Sequence, residues 1–422
     1  MSLRPTRTHG GRTAGEETEP NHFPHDAVMR TLLLTFLLLS AVGCMRAQIE
    51  GNDNAFPQFA LHHIDSIGYN IGQTALVDMD NDGDLDWVAG EANHSDSRIW
   101  WWENRSTDDW IRHYIGRGNT DVGGALHDVD GDGDLDMLSG SVLLLNLGSS
   151  ELFEPHDVGT IPSHDTEFAD IDGDGVVDAL ANSDMTGLYW YEIPDNPTQE
   201  WRAHLIATAE DHEVHGGVSP RAVGDIDGDG DPDIVTAQGW YENVNGEGLT
   251  WTFHRSLALG EPHRYGIAVR TWVVDLDGDG DVDIVQTEAD NPDGRVAWFE
   301  NDGRGTFTRH MIQDEGEQLD FHSLVVADFD HDGDLDVFSC GGPLSADDRY
   351  HNIVWENASG AWTKHVVADQ PCHEAQGGDV DGDGDVDIVA KPWSNGDKHY
   401  VLRNLAMEER RVARTQTADP GK

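Results

Sequence analysis

Basic residues are scarce in this chain: 26 Lys and Arg stand against 80 Asp and Glu in 422 residues, a formal charge of −54. Such a surface will not hold nucleic acid by neutralising phosphates. Cysteine is scarcer still, with three in all. No nucleophile motif surrounds a serine or cysteine, so hydrolysis of the serine or cysteine type has no support. Long apolar runs are also missing. The longest, within "MRTLLLTFLLLSAVGC" (29–44), has only about a dozen residues, too few for a membrane helix. Aromatics make up 8%, and acidic chains poor in aromatics tend to disorder. The 14 Trp recur at regular places, which argues for a folded chain.

The run at 29–44 has a basic start, an apolar centre and small residues at its end, the pattern of a bacterial export signal. Residues 29–47 are assigned to it. Cleavage near Ala47 and a lipid anchor at Cys44, which follows Ala41-Val42-Gly43, are alternative outcomes. Residues 1–28 are patternless, read as a disordered extension or a mis-assigned start. The expected location is outside the bacterial cytoplasm: periplasmic, anchored at the outer membrane, or extracellular. The mature protein would have no membrane span. Cys340 and Cys372 are then the remaining cysteines, free to pair in an exported protein.

What the chain has in abundance is one acidic motif. "DVDGDGDLD" (128–136) puts a carboxylate at every odd position, and six near-copies follow the same form. The copies begin at Asp78, Asp128, Asp170, Asp225, Asp275, Asp328 and Asp379, in steps of 50, 42, 55, 50, 53 and 51 residues. Together they hold 34 of the 80 acidic residues, so the charge is concentrated. A period of this length signals a repeat architecture.

Each repeat reads as four short strands. An apolar run enters the acidic loop and a second leaves it. A third follows, as in "WWEN" (101–104), "WYEN" (240–243), "VWEN" (354–357) and "VLRN" (401–404). The fourth carries an aromatic residue and, three places on, a histidine: Trp110/His113, Trp201/His204, Trp251/His254, Phe307/His310 and Trp362/His365 among them. Seven four-stranded units predict an all-β fold, a seven-bladed β-propeller over residues 55–405. After "VLRN" the tail 406–422 has no strand pattern and is expected to be disordered. "FALHHI" (59–64) precedes the first loop without a blade of its own. It can complete the last blade and close the ring, removing an exposed sheet edge. The recurring histidines and the Trp-Glu-Asn positions are read as blade packing.

D-x-D-x-D-G-D-x-D suits calcium. Carboxylates at positions 1, 3, 5 and 9 converge with the carbonyl of position 7, and glycine at position 6 permits the sharp turn. The expected ligands are Asp78, Asp80, Asp82 and Asp86; Asp128, Asp130, Asp132 and Asp136; Asp170, Asp172, Asp174 and Asp178; Asp225, Asp227, Asp229 and Asp233; Asp275, Asp277, Asp279 and Asp283; Asp328, Asp330, Asp332 and Asp336; Asp379, Asp381, Asp383 and Asp387. Up to seven structural Ca2+ ions follow. Short β-type flanks and the lack of Glu at position 12 exclude EF-hands. With these loops at this period, residues 55–405 resemble the FG-GAP/VCBS repeats of integrin α-subunit propellers and of many exported bacterial proteins.

First strands end at the acidic loops, so they start at the opposite mouth. Six residues before each loop, three repeats carry His164, His322 and His373. Nearby fall Asp165, His212, His215, His263, Arg264, Tyr265, Arg270, Asp320 and Glu374, and second strands deliver Glu91, His94, Glu288 and Lys391. Convergent histidines at a concave mouth could hold a further divalent metal or act as base and acid on a sugar. One reading is a monomeric binding module for a carbohydrate or protein ligand. The other is a carbon–oxygen lyase on uronate-bearing or oxidised sugars. "HEVHGGVSPRAVGDIDGDGDPDIVTAQGWYEN" and "CHEAQGGDVDGDGDVDIVAKPW" resemble segments of propeller proteins akin to aldos-2-ulose dehydratases and polysaccharide lyases. There His215, His322 or His373 would take the proton, with His164 as a further mouth histidine, and Arg264, Arg270 or Lys391 would neutralise the substrate.

Overall fold

The computed structural model describes residues 56–417 except 93–95, 120–121, 149, 151, 162–163, 184, 213–214, 260–266, 315, 346–349 and 394–397. The export segment, Cys44, His94, His263, Arg264 and Tyr265 lie outside the described residues.

Seven four-stranded antiparallel blades are formed, and in the first six the blade strands pair in sequence order. Blade 1 is Ile71–Val77, Asp86–Glu91, Ser97–Ser106 and Asp109–Gly118. Each later blade repeats the scheme, as in blade 5 with Ala268–Val274, Asp283–Ala289, Val296–Asn301 and Phe307–Met311. Blade 7 takes His373–Gly378, Asp387–Lys391 and His399–Asn404 from the C-terminal side and Phe59–Asp65 from the N-terminal side. The outer pair runs antiparallel from Phe59 opposite Asn404 to Asp65 opposite His399. This is the seven-bladed propeller that the motif register implies. Blade 5 has an addition: Pro220–Arg221 joins its inner strand in parallel.

Trp, Phe, Val, Leu and Ile of the second and third strands fill the spaces between blades. Trp87, Trp101, Trp102, Trp190 and Trp355 are almost wholly buried. The fourth-strand histidines pack where the sequence put them. His113, His204, His254 and His310 stack on Trp101, Trp190, Trp240 and Trp298, with ring centroids 4.0–4.6 Å apart. Their second anchor is the glutamate two places after the Trp: His254 Nε2 lies 2.6 Å from Glu242, His310 Nε2 2.7 Å from Glu300.

The third-strand asparagine stitches neighbouring blades. Asn243 Nδ2 donates to the Ile171 carbonyl at 2.9 Å, Asn301 to Ile226 at 2.8 Å, Asn404 to Phe329 at 2.8 Å and Asn104 to Val380 at 2.7 Å. Every acceptor is position 2 of the preceding blade's acidic loop. The expectation of a disordered tail needs correction, because Ala406–Thr417 is helical. Its start is held by the last blade: Asn404 Oδ1 accepts from the Ala406 N–H and Asp385 from the Met407 N–H. A helix needs no alternating pattern, so a search for strands passes over it.

Candidate functional site

Two faces carry chemistry. On the first, each acidic loop folds around its own carboxylates. The position-6 N–H donates to Asp at position 1 in every copy, from Gly133 to Asp128 at 2.9 Å through Gly333 to Asp328 at 3.2 Å. Those glycines sit at φ between 88° and 103°, a region costly to residues with a Cβ. The position-9 aspartate is buried and does more than face the loop. Asp233 accepts the Ile226 N–H through one oxygen and the Asn243 N–H through the other, at 3.0 and 2.9 Å. It thereby ties loop to third strand. Burial pushes Asp86, Asp136, Asp178, Asp233, Asp336 and Asp387 up to about 7, and Asp283 to about 6.

These loops fit a hard cation. In the first three, one oxygen each from positions 1, 3 and 9 lies within 4.8 Å of the others, as in Asp78, Asp80 and Asp86. Asp80 Oδ1 and Asp170 Oδ1 are buried acceptors that no protein donor reaches. Crowded carboxylates with orphaned oxygens are the donor set that Ca2+ takes.

The second face gathers residues from the starts of the inner strands. Arg270 of blade 5 is buried between two carboxylates: Asp165 of blade 3, whose Oδ1 is 3.3 Å from Nη1, and Glu374 of blade 7. Asp165 also accepts the Gly217 N–H at 2.7 Å. Burial raises Asp165, but His164, Arg270 and this N–H outweigh it and hold the carboxyl below its usual range. Asp290, at the turn after the second strand of blade 5, faces two histidines. His322 Nε2 lies 3.5 Å and His215 Nε2 3.8 Å from its oxygens. Burial raises Asp290 as well, but His322, His215 and His164 around it outweigh the burial and hold the carboxyl below its usual range.

His164 and His215 meet edge to face with centroids 4.3 Å apart, and His322 and His373 stack at 4.0 Å. Trp393 leans on His373. Lys391 is wholly buried and donates to the Ile71 carbonyl, with Nζ 2.8 Å from His373 Nδ1. Burial drives both His373 and Lys391 well below their ordinary values, favouring the uncharged form of each. Burial also raises Asp320.

The structure thus brings together His164, His215, His322, His373, Arg270 and Lys391. Glu91 and Glu288 play another part: each pairs with the arginine seven residues on, Arg98 and Arg295. Position counting missed Asp290, because it lies beyond the second strand. Cys340 and Cys372 form a disulfide that joins blade 6 to the residue before His373. A strand-end cysteine facing another across adjacent blades carried that signal.

The sequence matches the family described as FG-GAP-like repeat over residues 51–139, 148–236 and 275–339. No curated protein sequence matches the chain. Similar solved structures include the V. cholerae biofilm matrix protein Bap1, at 12% identity over 83% of this chain and 84% of that one, TM-score 0.39. Another is BBS1N in complex with ARL6DN, soaked with lead, at 11% identity over 82% of this chain and 96% of that one, TM-score 0.43. No helix among the described residues is long and apolar enough to cross a membrane. With the repeat matched over more than half of its length, the chain belongs to the FG-GAP-like repeat family.

Proposed function

We propose that this protein is an exported, calcium-stabilised propeller that binds a carbohydrate or protein ligand at the mouth opposite the acidic loops. The observation that carries the reading is the cluster around Arg270. Residues of blades 3, 5, 6 and 7 converge there, with Asp165, Arg270, His322, His373 and Lys391 all buried. Burying ionisable groups costs several kcal/mol each, and apolar side chains would fill the same volume more stably. Calcium would close the loops of the other face and offset their mutual repulsion. The protein is expected to act as a monomer.

A second reading, elimination on a uronate-bearing sugar, is favoured by one specific pair. His373 and Lys391 are buried and in contact, and burial favours the uncharged form that a proton acceptor needs. Arg270 would face the substrate carboxylate. The test mixes the calcium-loaded mature chain with uronate-containing polysaccharides. Binding is followed by calorimetry and unsaturated sugar by ultraviolet absorbance. Saturable binding weakened by His322→Gln supports the mouth as the ligand site. Rising absorbance lost in His373→Gln establishes the lyase. Absence of both across neutral, acidic and protein panels contradicts the proposal.

A further inference from the structure

We propose that His322, His373 and Glu374 hold a first-row transition-metal ion at the mouth, separate from the acidic loops. One ring nitrogen from each histidine and one Glu374 oxygen lie within 4.8 Å of one another. The histidines are 5% and 2% exposed. Asp290 takes the Nε2 side of His322 at 3.5 Å, and the buried Nδ1 on the other side has no protein partner. A carboxylate behind a histidine with the far nitrogen left open is how metal-binding histidines are oriented.

Charge supports a cation there. Three carboxylates, Asp165, Asp290 and Glu374, gather there around the single guanidinium of Arg270 and the imidazole of His322, a surplus of acid that a divalent ion offsets. Two imidazoles and one carboxylate suit zinc or a neighbouring ion better than calcium. Three protein ligands leave positions open for an oxygen of the mouth ligand. Glu374 also sits at φ 54°, a strained conformation of the kind that concentrates at functional sites.

This inference rests on the mouth being the functional face, so its test uses metal alone. The mature protein, stripped with chelating resin and returned to excess calcium to fill the loops, is titrated with Zn2+ by calorimetry and with Co2+ by absorption. One zinc equivalent and visible cobalt bands of low coordination are expected. Both should weaken at least tenfold in His322→Ala and in the near-isosteric Glu374→Gln. No saturable zinc in the parent, or unchanged affinity in both variants with near-ultraviolet dichroism intact, overturns it. A protein that binds glycans but no zinc sinks the metal site and spares the ligand reading.

From a different observation we infer that loop 7 is closed by an arginine in place of an ion. Two residues after the site facing the fourth-strand histidine, blades 1, 3, 4, 5 and 6 place Glu103, Glu192, Glu242, Glu300 and Glu356. In blade 7 the same register holds Arg403. Its guanidinium pairs with Asp381 at position 3, reaches Asp383 at position 5 across 3.8 Å, and pairs with Glu408 of the tail helix. A guanidinium on two of the four expected carboxylate ligands repels a cation and supplies its charge. Native mass spectrometry of the calcium-loaded mature chain should count six ions, and seven in Arg403→Glu. Seven in the parent, or six in both, overturns the inference. No calcium at all removes its premise, the calcium reading itself.

Discussion

Trp87 Nε1 donates to Nδ1 of His399 at 2.9 Å, across the seam where the first and last blades meet. The other ring nitrogen, Nε2, lies 2.9 Å from the Ile67 carbonyl. Both nitrogens are therefore committed to one neutral tautomer, with the lone pair on Nδ1. A second proton would set N–H against N–H inside the closure. Burial pushes His399 down to about 4. The unfolded chain, with an ordinary histidine near 6.5, binds more protons between these values. Stability is therefore full above about pH 6.5 and falls toward pH 4, by roughly 3 kcal/mol for this group. Chemical unfolding at stepped pH in excess calcium should show the loss. His399→Asn should be weaker at pH 7 and flatter across the window. Equal slopes for parent and variant would contradict the assignment.

Removal of calcium should loosen every blade that holds an ion. At a hundredfold excess over its dissociation constant, each ion bound only to the folded state adds about 2.7 kcal/mol. Scanning calorimetry should therefore show a large, reversible fall in Tm with chelator, restored by Ca2+ and poorly by Mg2+. Magnesium demands octahedral geometry from fewer protein oxygens.

Asn301→Ala should loosen blade 5 from blade 4 as well as weaken blade 5 itself. It removes a bond to the Ile226 carbonyl of blade 4 at 2.8 Å and one to the Val282 carbonyl of blade 5 at 2.9 Å, leaving one buried and one half-buried acceptor without this donor. A loss of about 1–3 kcal/mol is expected from chemical denaturation.

Cys340 and Cys372 close a loop of 32 residues, for which chain entropy gives roughly 3–4 kcal/mol. The double serine variant should unfold earlier by about that amount. It should also bind mouth ligands more weakly, because the bridge anchors the strand that begins with His373. Unchanged ligand affinity would show that the strand holds itself.

The loops were legible because each is local: nine residues contain the carboxylates and the glycine that folds them. The blades were legible through recurrence, since Trp, Glu and the fourth-strand histidine keep their spacing. The mouth was legible only in part. His164, His322 and His373 share a register position, whereas Asp290 belongs to a turn that varies between blades. That it would sit between His322 and His215 depends on how the ring closes, which no local spacing records. Position 9 hid a second role, because a ligand aspartate and one that binds two backbone N–H groups look alike in sequence. Arg403 was visible as the odd letter in "VLRN", but its meaning needed Asp381 beside it.

The most direct test of the mouth as ligand site is to map affinity onto the two faces. The calcium-loaded parent would be screened on a glycan array and against envelope proteins, and the strongest hit measured with three variants. His322→Gln and Glu374→Gln alter the mouth. Asp84→Asn alters an exposed position of the acidic face whose side chain is not an expected ion ligand. At least tenfold weakening in both mouth variants, with Asp84→Asn unchanged, is the predicted result. Full affinity in the mouth variants and loss in Asp84→Asn would place binding on the acidic face and contradict the account.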